Sequence, residues 1–291
     1  MPVVRKAVIP AAGLGTRVLP VTKVVPKEML PIVDTPAIQY AVEECVAAGV
    51  DDILIVTGRG KRAIEDHFDR QPELEAELEA KGKTDELAAV RRSAELARVH
   101  AVRQLSPLGL GHAVSVARDH VGDEPFCVLL PDELMVDAGP LRALIAAHEA
   151  TGTSAIGLAE VAPEDISRYG AAGVEPTDVA GVLRVTALVE KPPADEAPSN
   201  LSLAGRYVFT PAIFDALARI TPGQGGELQL TDAMVLLLAG EGLHAAVIEG
   251  RHDTGNKLDY LKANVEFALR RPDLAAEFGS WLAEVVRRDG L

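Results

Sequence analysis

Residues Ala11 to Pro31 read Ala-Ala-Gly-Leu-Gly-Thr-Arg-Val-Leu-Pro-Val-Thr-Lys-Val-Val-Pro-Lys-Glu-Met-Leu-Pro, directly after the apolar Val3, Val4, Ala7, Val8 and Ile9. The apolar run reads as a short first strand, so the glycines fall where that strand ends and the backbone must turn. Small residues at Ala11, Ala12, Gly13 and Gly15 let backbone amides approach a ligand, and consecutive unpaired N–H groups form an anion-binding concavity. Arg17, Lys23 and Lys27 add cations to the same loop, which makes a phosphate chain its natural guest. Two familiar phosphate loops are excluded. No Gly-x4-Gly-Lys-Ser/Thr is present. The dinucleotide fingerprint fails because Val18 stands at its last glycine and Pro20, Pro26 and Pro31 forbid the continuous helix it opens, although Asp34 lies near the distance of a ribose-binding acid.

The spaced elements Gly13-Leu14-Gly15-Thr16-Arg17, Pro20 and Pro26-Lys27 resemble the signature of the sugar nucleotidyltransferases. The longer block Pro26-Lys27-Glu28-Met29-Leu30-Pro31 is similar to that of the bacterial UTP-glucose-1-phosphate uridylyltransferases. A Gly-rich turn with solvated charges would explain one such element but not three in register.

With 291 residues the chain is long enough for one large or two modest domains, and nothing marks an inner linker. No apolar run reaches the length of a membrane span, and the first residues read as the start of a strand, not a signal peptide. Cys45 and Cys127 sit in apolar runs, which favours two buried thiols and a reducing cytoplasm. The formal net charge of −14 disfavours nucleic acid and anionic membranes as partners. Cations gathered on one Gly-rich loop of an acidic chain instead fit a small anionic substrate.

Apolar spacing predicts a helix from Thr35 to Gly49, with Thr35 as its cap and Pro36 in its first turn, and a buried strand over Ile53 to Val56. Helices follow at Lys61 to Phe68 and, as an exposed insertion, within Glu73 to Leu96, then a strand at Val99 to Val102 and a helix from Ala113 to about His120. Phe126 to Leu130 is an all-apolar strand of the kind buried on both faces, Leu141 to Ala150 a helix and Ser154 to Glu160 a strand. Such alternation gives an α/β fold with a doubly wound, mainly parallel sheet flanked by helices. After Gly170 strands dominate, at Gly181 to Glu190 and Leu201 to Phe209; a short helix from Pro211, one over Leu228 to Leu238, a strand at Ala245 to Ile248 and two closing helices complete the chain. We expect a single nucleotidyltransferase domain, with a nucleotide-binding half over about 1–165, a sugar-binding half over about 166–256 and C-terminal helices over about 257–291.

Asp132 lies just past the end of the buried strand at Phe126, and Asp253 shortly after the strand ending near Ile248, both at carboxyl edges where open α/β sheets place ligands. Two such carboxylates could hold a Mg²⁺ that bridges phosphate oxygens. The family usually shows a second Asp or another residue after the first acid, and here Asp132-Glu133 departs slightly. Glu190-Lys191-Pro192 matches the family's Glu-Lys-Pro; the resemblance implies that Lys191 reaches the phosphates and Glu190 accepts from sugar hydroxyls. Gln104 with Gly109-Leu110-Gly111-His112 resembles the nucleobase segment, and Gly170 a position where backbone meets a sugar hydroxyl. Gly225 to Asp232 matches a further family block, assigned to the sugar pocket or a subunit contact.

The resemblance thus implies a nucleotide site of Ala11, Ala12, Gly13, Gly15, Thr16, Gln104, Gly109 and Gly111, a sugar site of Gly170, Glu190 and Lys191, and catalytic cations Arg17, Lys27 and Lys191. The implied reaction joins UTP and glucose 1-phosphate into UDP-glucose and pyrophosphate, in a cytoplasmic homodimer or homotetramer using Mg²⁺. A sugar phosphate is already ionised at neutral pH, so no general base is needed, in keeping with the lack of any Ser-His-Asp or Cys-His constellation. Two alternatives stay open. A thymidylyltransferase would share the scaffold and the base-pairing edge; a silent sugar-nucleotide sensor would be expected to have lost Arg17, Lys27, Asp132 or Lys191, all of which are present.

Overall fold

The computed structural model describes residues 3–290; Met1 and Pro2, which the sequence reading takes into the first strand, lie outside them. Strand β1 (Lys6–Pro10) runs through the Gly-rich loop to a small ribbon, β2 (Pro31–Ile32) with β3 (Thr35–Pro36), and then to helix α1 (Ala37–Ala47). Next come β4 (Asp52–Thr57), α2 (Arg62–Phe68), α3 (Pro72–Ala80), α4 (Thr84–Glu95) and β5 (Arg98–Arg103). They are followed by α5 (Leu110–Ser115), α6 (Arg118–Val121), β6 (Phe126–Leu129), β7 (Glu133–Met135), α7 (Gly139–Thr151) and β8 (Ser154–Glu160). The later chain adds β9 (Ala171–Pro176), β10 (Leu183–Val189), β11 (Leu201–Phe209), α8 (Ala212–Leu217), α9 (Leu230–Gly240), β12 (Leu243–Val247), β13 (Arg251–Asp253), α10 (Lys257–Arg270) and α11 (Ala275–Asp289).

One sheet of nine strands carries the fold, in the order β5-β4-β1-β6-β11-β8-β12-β10-β9. The first four strands are parallel, β11 runs antiparallel to β6 and β8, and β12 returns parallel to β8. The strand-rich stretch after Gly170 supplies the antiparallel β9 and β10. Alternation along the central strands divides the core: Val8, Leu54, Val56, Phe126 and Val128 pack on one face with Val114, Val121, Phe214 and Leu237 from the helices. Ala7, Ile9, Ile53, Ile55, Cys127 and Leu129 pack on the other with Ile38, Val42, Ile64 and Leu144. Helices on both faces explain why these strands read as unbroken apolar runs. Cys45 and Cys127 are free and fully buried, and burial pushes both thiols up.

Several boundaries move. The first strand begins at Lys6 and not at Val3, which is exposed. Thr35 does not cap α1; it pairs with Ile32, and Pro36 stands at the cap position because the Ala37 amide is already taken by the Leu30 carbonyl at 3.1 Å. The helix expected from Ala113 starts at Leu110 and is broken into α5 and α6, and β9, β7 and β13 were not anticipated. No helix among the described residues is long and apolar enough to cross a membrane.

Candidate active site

β1 lies between β4 and β6, and the chain leaves it toward β4 and β5 on one side before returning to β6 on the other. The order of strands therefore reverses beside β1, the place where open α/β sheets form a crevice at their carboxyl edge. The Gly-rich loop fills that position. The Ala11 amide still belongs to the sheet, donating to the Val56 carbonyl at 2.8 Å, so among the described residues the amides without an internal partner run from Ala12 through Gly13 and Gly15 to Thr16. Gly15 takes the left-handed conformation at φ 65°, and a Cβ there would lie 3.2 Å from both Lys27 and Thr22 side-chain carbons. The Thr22 hydroxyl donates to the Gly15 carbonyl at 2.7 Å and closes the loop on itself.

Asp132 and Asp253 are joined by a feature that local pattern does not reveal. β7 and β13 form a two-stranded antiparallel ribbon that sets Asp253 opposite Glu133. The Asp132 carbonyl also accepts from the Thr254 amide (2.8 Å) and hydroxyl (2.9 Å). Both carboxylates then meet the loop's cations. Lys27 Nζ lies 2.5 Å from Asp132 Oδ2, and the Arg17 guanidinium reaches Asp132 Oδ2 at 3.6 Å and Asp253 Oδ2 at 3.7 Å. Burial opposes ionisation of Asp132, but the charge of Lys27, its hydrogen bond and the charge of Arg17 outweigh it and hold the carboxyl below its ordinary range. Burial likewise opposes the charge on Lys27, yet Asp132 raises that pKa overall. Asp253 accepts from the Gly255 amide at 2.9 Å and from the Tyr169 hydroxyl at 3.3 Å.

A second group of residues continues from Tyr169. The Lys191 amide donates to the Tyr169 carbonyl at 3.2 Å, and Lys191 itself is left-handed at φ 44°, an uncommon state for a residue with a Cβ. Its half-exposed ammonium lies 3.4 Å from Glu190 Oε1, while Glu190 Oε2 accepts from the Thr231 hydroxyl at 2.7 Å. The Gly170 carbonyl accepts from the Leu203 amide at 2.8 Å. Thr231 was visible in sequence only as part of the block at Gly225 to Asp232.

Gln104, Gly109 and Gly111 form a third group, and here much of the chemistry is internal. The buried Gln104 amide donates to the Gly109 carbonyl (3.1 Å) and bonds His112 Nδ1 (2.8 Å). A Cβ on Gly109 or Gly111 would lie 2.8 Å from the Leu228 carbonyl oxygen, and the Gly111 amide donates to that oxygen at 2.8 Å. Close approach of the Glu227 to Leu228 backbone thus requires both glycines without reference to a ligand.

Sequence reasoning missed the buried ion pairs beneath these loops. Lys61 Nζ donates to Glu28 Oε2 at 2.6 Å, and burial pushes the Glu28 carboxyl up against the opposing charge of Lys61. Arg206, fully buried, holds Glu44 (Nη2 to Oε2, 2.7 Å) and donates to the Leu130 carbonyl at 2.9 Å. Glu133, which follows Asp132, turns away from it to pair with Arg251, whose Nη2 donates at 2.8 Å; the same guanidinium stacks 4.6 Å from the Tyr169 ring centre.

The sequence profile described as nucleotidyl transferase matches residues 6–269. The chain belongs to the nucleotidyl transferase family. This nucleotidyl transferase is 51% identical over 288 residues to the UTP–glucose-1-phosphate uridylyltransferase YngB of Bacillus subtilis (strain 168), with 98% of this chain and 97% of the relative covered. A UTP-bound UGPase from Acinetobacter baumannii superposes on it with a TM-score of 0.89 at 42% identity, covering 97% of this chain and 99% of the other. A UDP-glucose pyrophosphorylase complexed with UDP-glucose gives 0.83 at 39% identity, covering 92% of this chain and all of that one.

Proposed function

We propose that this nucleotidyl transferase moves a uridylyl group from UTP to glucose 1-phosphate, giving UDP-glucose and pyrophosphate. One observation carries the reading: four charged side chains from three separate stretches, Arg17, Lys27, Asp132 and Asp253, converge beside unpaired loop amides at the carboxyl edge of β1. The names and bound nucleotides of its relatives supply the base and the sugar. Nucleotide occupies the half over about 1–165 and sugar the half over about 166–256.

The work of such a site is to bring two anions together in line. The amides of Ala12 to Thr16 receive the triphosphate; Arg17, Lys27 and Lys191 neutralise charge as the sugar phosphate oxygen attacks the α-phosphorus. No side chain needs to remove a proton, since the attacking phosphate is ionised at neutral pH. The Gln104 amide hydrogens are engaged within the protein, which leaves its carbonyl oxygen to accept from the uracil N3–H. Glu190 and the Gly170 backbone face the sugar hydroxyls.

Asp132 and Asp253 fit a Mg²⁺. Both are hard oxygen donors, and both already reach one guanidinium, so the space between them accommodates positive charge. When bound, the ion supplies Lewis-acid neutralisation of phosphate oxygens. Two buried free thiols suit a reducing cytoplasm, and exposed Leu258, Leu261 and Trp281 on the C-terminal helices support a homodimer or homotetramer.

The test is pyrophosphate release with Mg²⁺ across UTP, dTTP, CTP and GTP, each against glucose, galactose, mannose and N-acetylglucosamine 1-phosphates. UTP with glucose 1-phosphate should win clearly. A preference for dTTP would make the chain a thymidylyltransferase, and no release with any pair would make it a sugar-nucleotide sensor.

A further inference from the structure

The opposite edge of the sheet carries a cluster that the transferase reaction does not use. Asp52 opens β4, His100 lies in β5, the outermost strand, and His120 lies in α6. β4 and β5 are parallel with Asp52 beside Arg98 and Leu54 beside His100, so Asp52, Leu54, Arg98 and His100 share one face. α6 packs on that face through Val121 against the same core as Leu54. Lys6, from β1, donates to the His120 and Val121 carbonyls at 3.1 and 3.0 Å and pairs with Glu124 at 2.5 Å. The end of α6 is thereby tied down with His120 over Asp52.

The three side chains offer one oxygen and two imidazole nitrogens, all within 4.8 Å of one another. Asp52 Oδ1 is the common point, 2.9 Å from His120 Nε2 and 3.6 Å from His100 Nε2. The rings stand 4.9 Å apart, tilted by 55°. Ligands at about 2.0 Å around a tetrahedral zinc lie roughly 3.3 Å apart, so closing the set needs the 2.9 Å Asp52–His120 pair to open slightly and the half-exposed His100 to move inward. Arg98 approaches the other oxygen, Asp52 Oδ2, at 3.7 Å and is shared with Asp51 at 3.9 Å, which leaves Oδ1 to the imidazoles.

We propose that Asp52, His100 and His120 form a binding site for zinc, with a fourth position open to water. Imidazole nitrogen with one carboxylate selects late first-row divalent ions over Mg²⁺, which demands oxygen donors and resists dehydration. The six residues of β4, at about 3.3 Å each, put this site roughly 20 Å from the carboxyl edge that holds the candidate active site. Zinc here clips the edge strand and α6 to β4.

Calorimetric titration of the chelator-treated full chain with ZnCl₂ tests this, with Co²⁺ absorption as a second readout of nitrogen ligation. One zinc per chain is expected, bound at least about tenfold more weakly by His100→Ala and by His120→Gln, and unchanged in Asp132→Asn/Asp253→Asn. His100 is half exposed on an edge strand, so His100→Ala should melt in chelator as the parent does. The proposal is overturned by no saturable zinc binding in the parent, by unchanged affinity in both histidine variants, or by loss of binding in the active-site double variant.

Discussion

Replacing Arg206 by Met removes a fully buried guanidinium and leaves the Glu44 carboxylate, 6% exposed, without the partner that makes three contacts of 2.7 to 3.1 Å to it. Breaking a buried pair from one side costs about 3 to 5 kcal/mol, because the surviving charge stays desolvated. For 291 residues, an unfolding entropy of about 2.1 cal/mol/K per residue sums to roughly 0.6 kcal/mol/K, which converts that loss to a fall of about 5 to 8 °C in Tm. Adding Glu44→Met should recover most of it. The backbone atoms released are not orphaned: the Leu130 carbonyl still accepts from the Glu133 amide at 3.1 Å, and the Gly205 carbonyl from the Leu130 amide at 2.9 Å. Thermal and urea unfolding of the parent, both single variants and the double variant give the cycle. A double variant no more stable than Arg206→Met alone would refute the account, since the loss would then come from packing and not from a stranded charge.

Four further outcomes are expected. Lys191→Ala should lower turnover by roughly two to three decades, as loss of a positioned cation does; turnover within threefold of the parent would mark Lys191 as a solvated charge. Gln104→Ala should raise the UTP concentration needed more than it lowers saturated turnover, because a base contact is held in ground and transition states alike; an equal fall in turnover at saturating UTP would contradict that role. Lys27 and Arg17 hold Asp132 below its unfolded value, so its contribution to stability is complete above about pH 4 to 5 and is lost as pH falls through the folded value; Asp132→Asn should flatten the decline of Tm on acidification below about pH 5. Asp132→Asn and Asp253→Asn should each raise the Mg²⁺ needed for half activity, with the double variant losing less than the sum; additive losses at an unchanged Mg²⁺ requirement would leave both acids as supports for the loops.

What the sequence made legible follows from the range of the interaction involved. Strands buried on both faces announce themselves as apolar runs, which is why β6, β8 and β11 lie almost where spacing predicts them. The Gly-rich loop is legible because Gly15 meets a local demand for a left-handed backbone and the prolines forbid a continuous helix. Ribbons of two or three residues carry no periodicity, so the β2–β3 pairing that displaces the start of α1 was invisible, as was the β7–β13 pairing that draws Asp253 to Asp132. Gln104, Gly109 and Gly111 show the converse. Their residue types were readable, but the Leu228 backbone that packs against the two glycines comes from a distant part of the chain.

The charged residues that pattern reasoning passed over are the ones that aim the site. Glu28 adjoins Lys27, Glu133 adjoins Asp132, and Arg206 holds the Leu130 carbonyl two residues before Asp132; each belongs to an ion pair buried in the protein. Such pairs are poor sources of stability, since well-packed apolar residues of similar volume are often as good or better. Apolar contacts, however, have no direction, whereas a carboxylate held by a guanidinium or ammonium fixes the rotation of its own backbone. Anchoring Glu28 toward Lys61 sends the neighbouring Lys27 toward Asp132, and anchoring Glu133 on Arg251 leaves Asp132 as the acid that faces the loop. A site whose task is to hold two anions in line needs that directional control more than it needs additional stability.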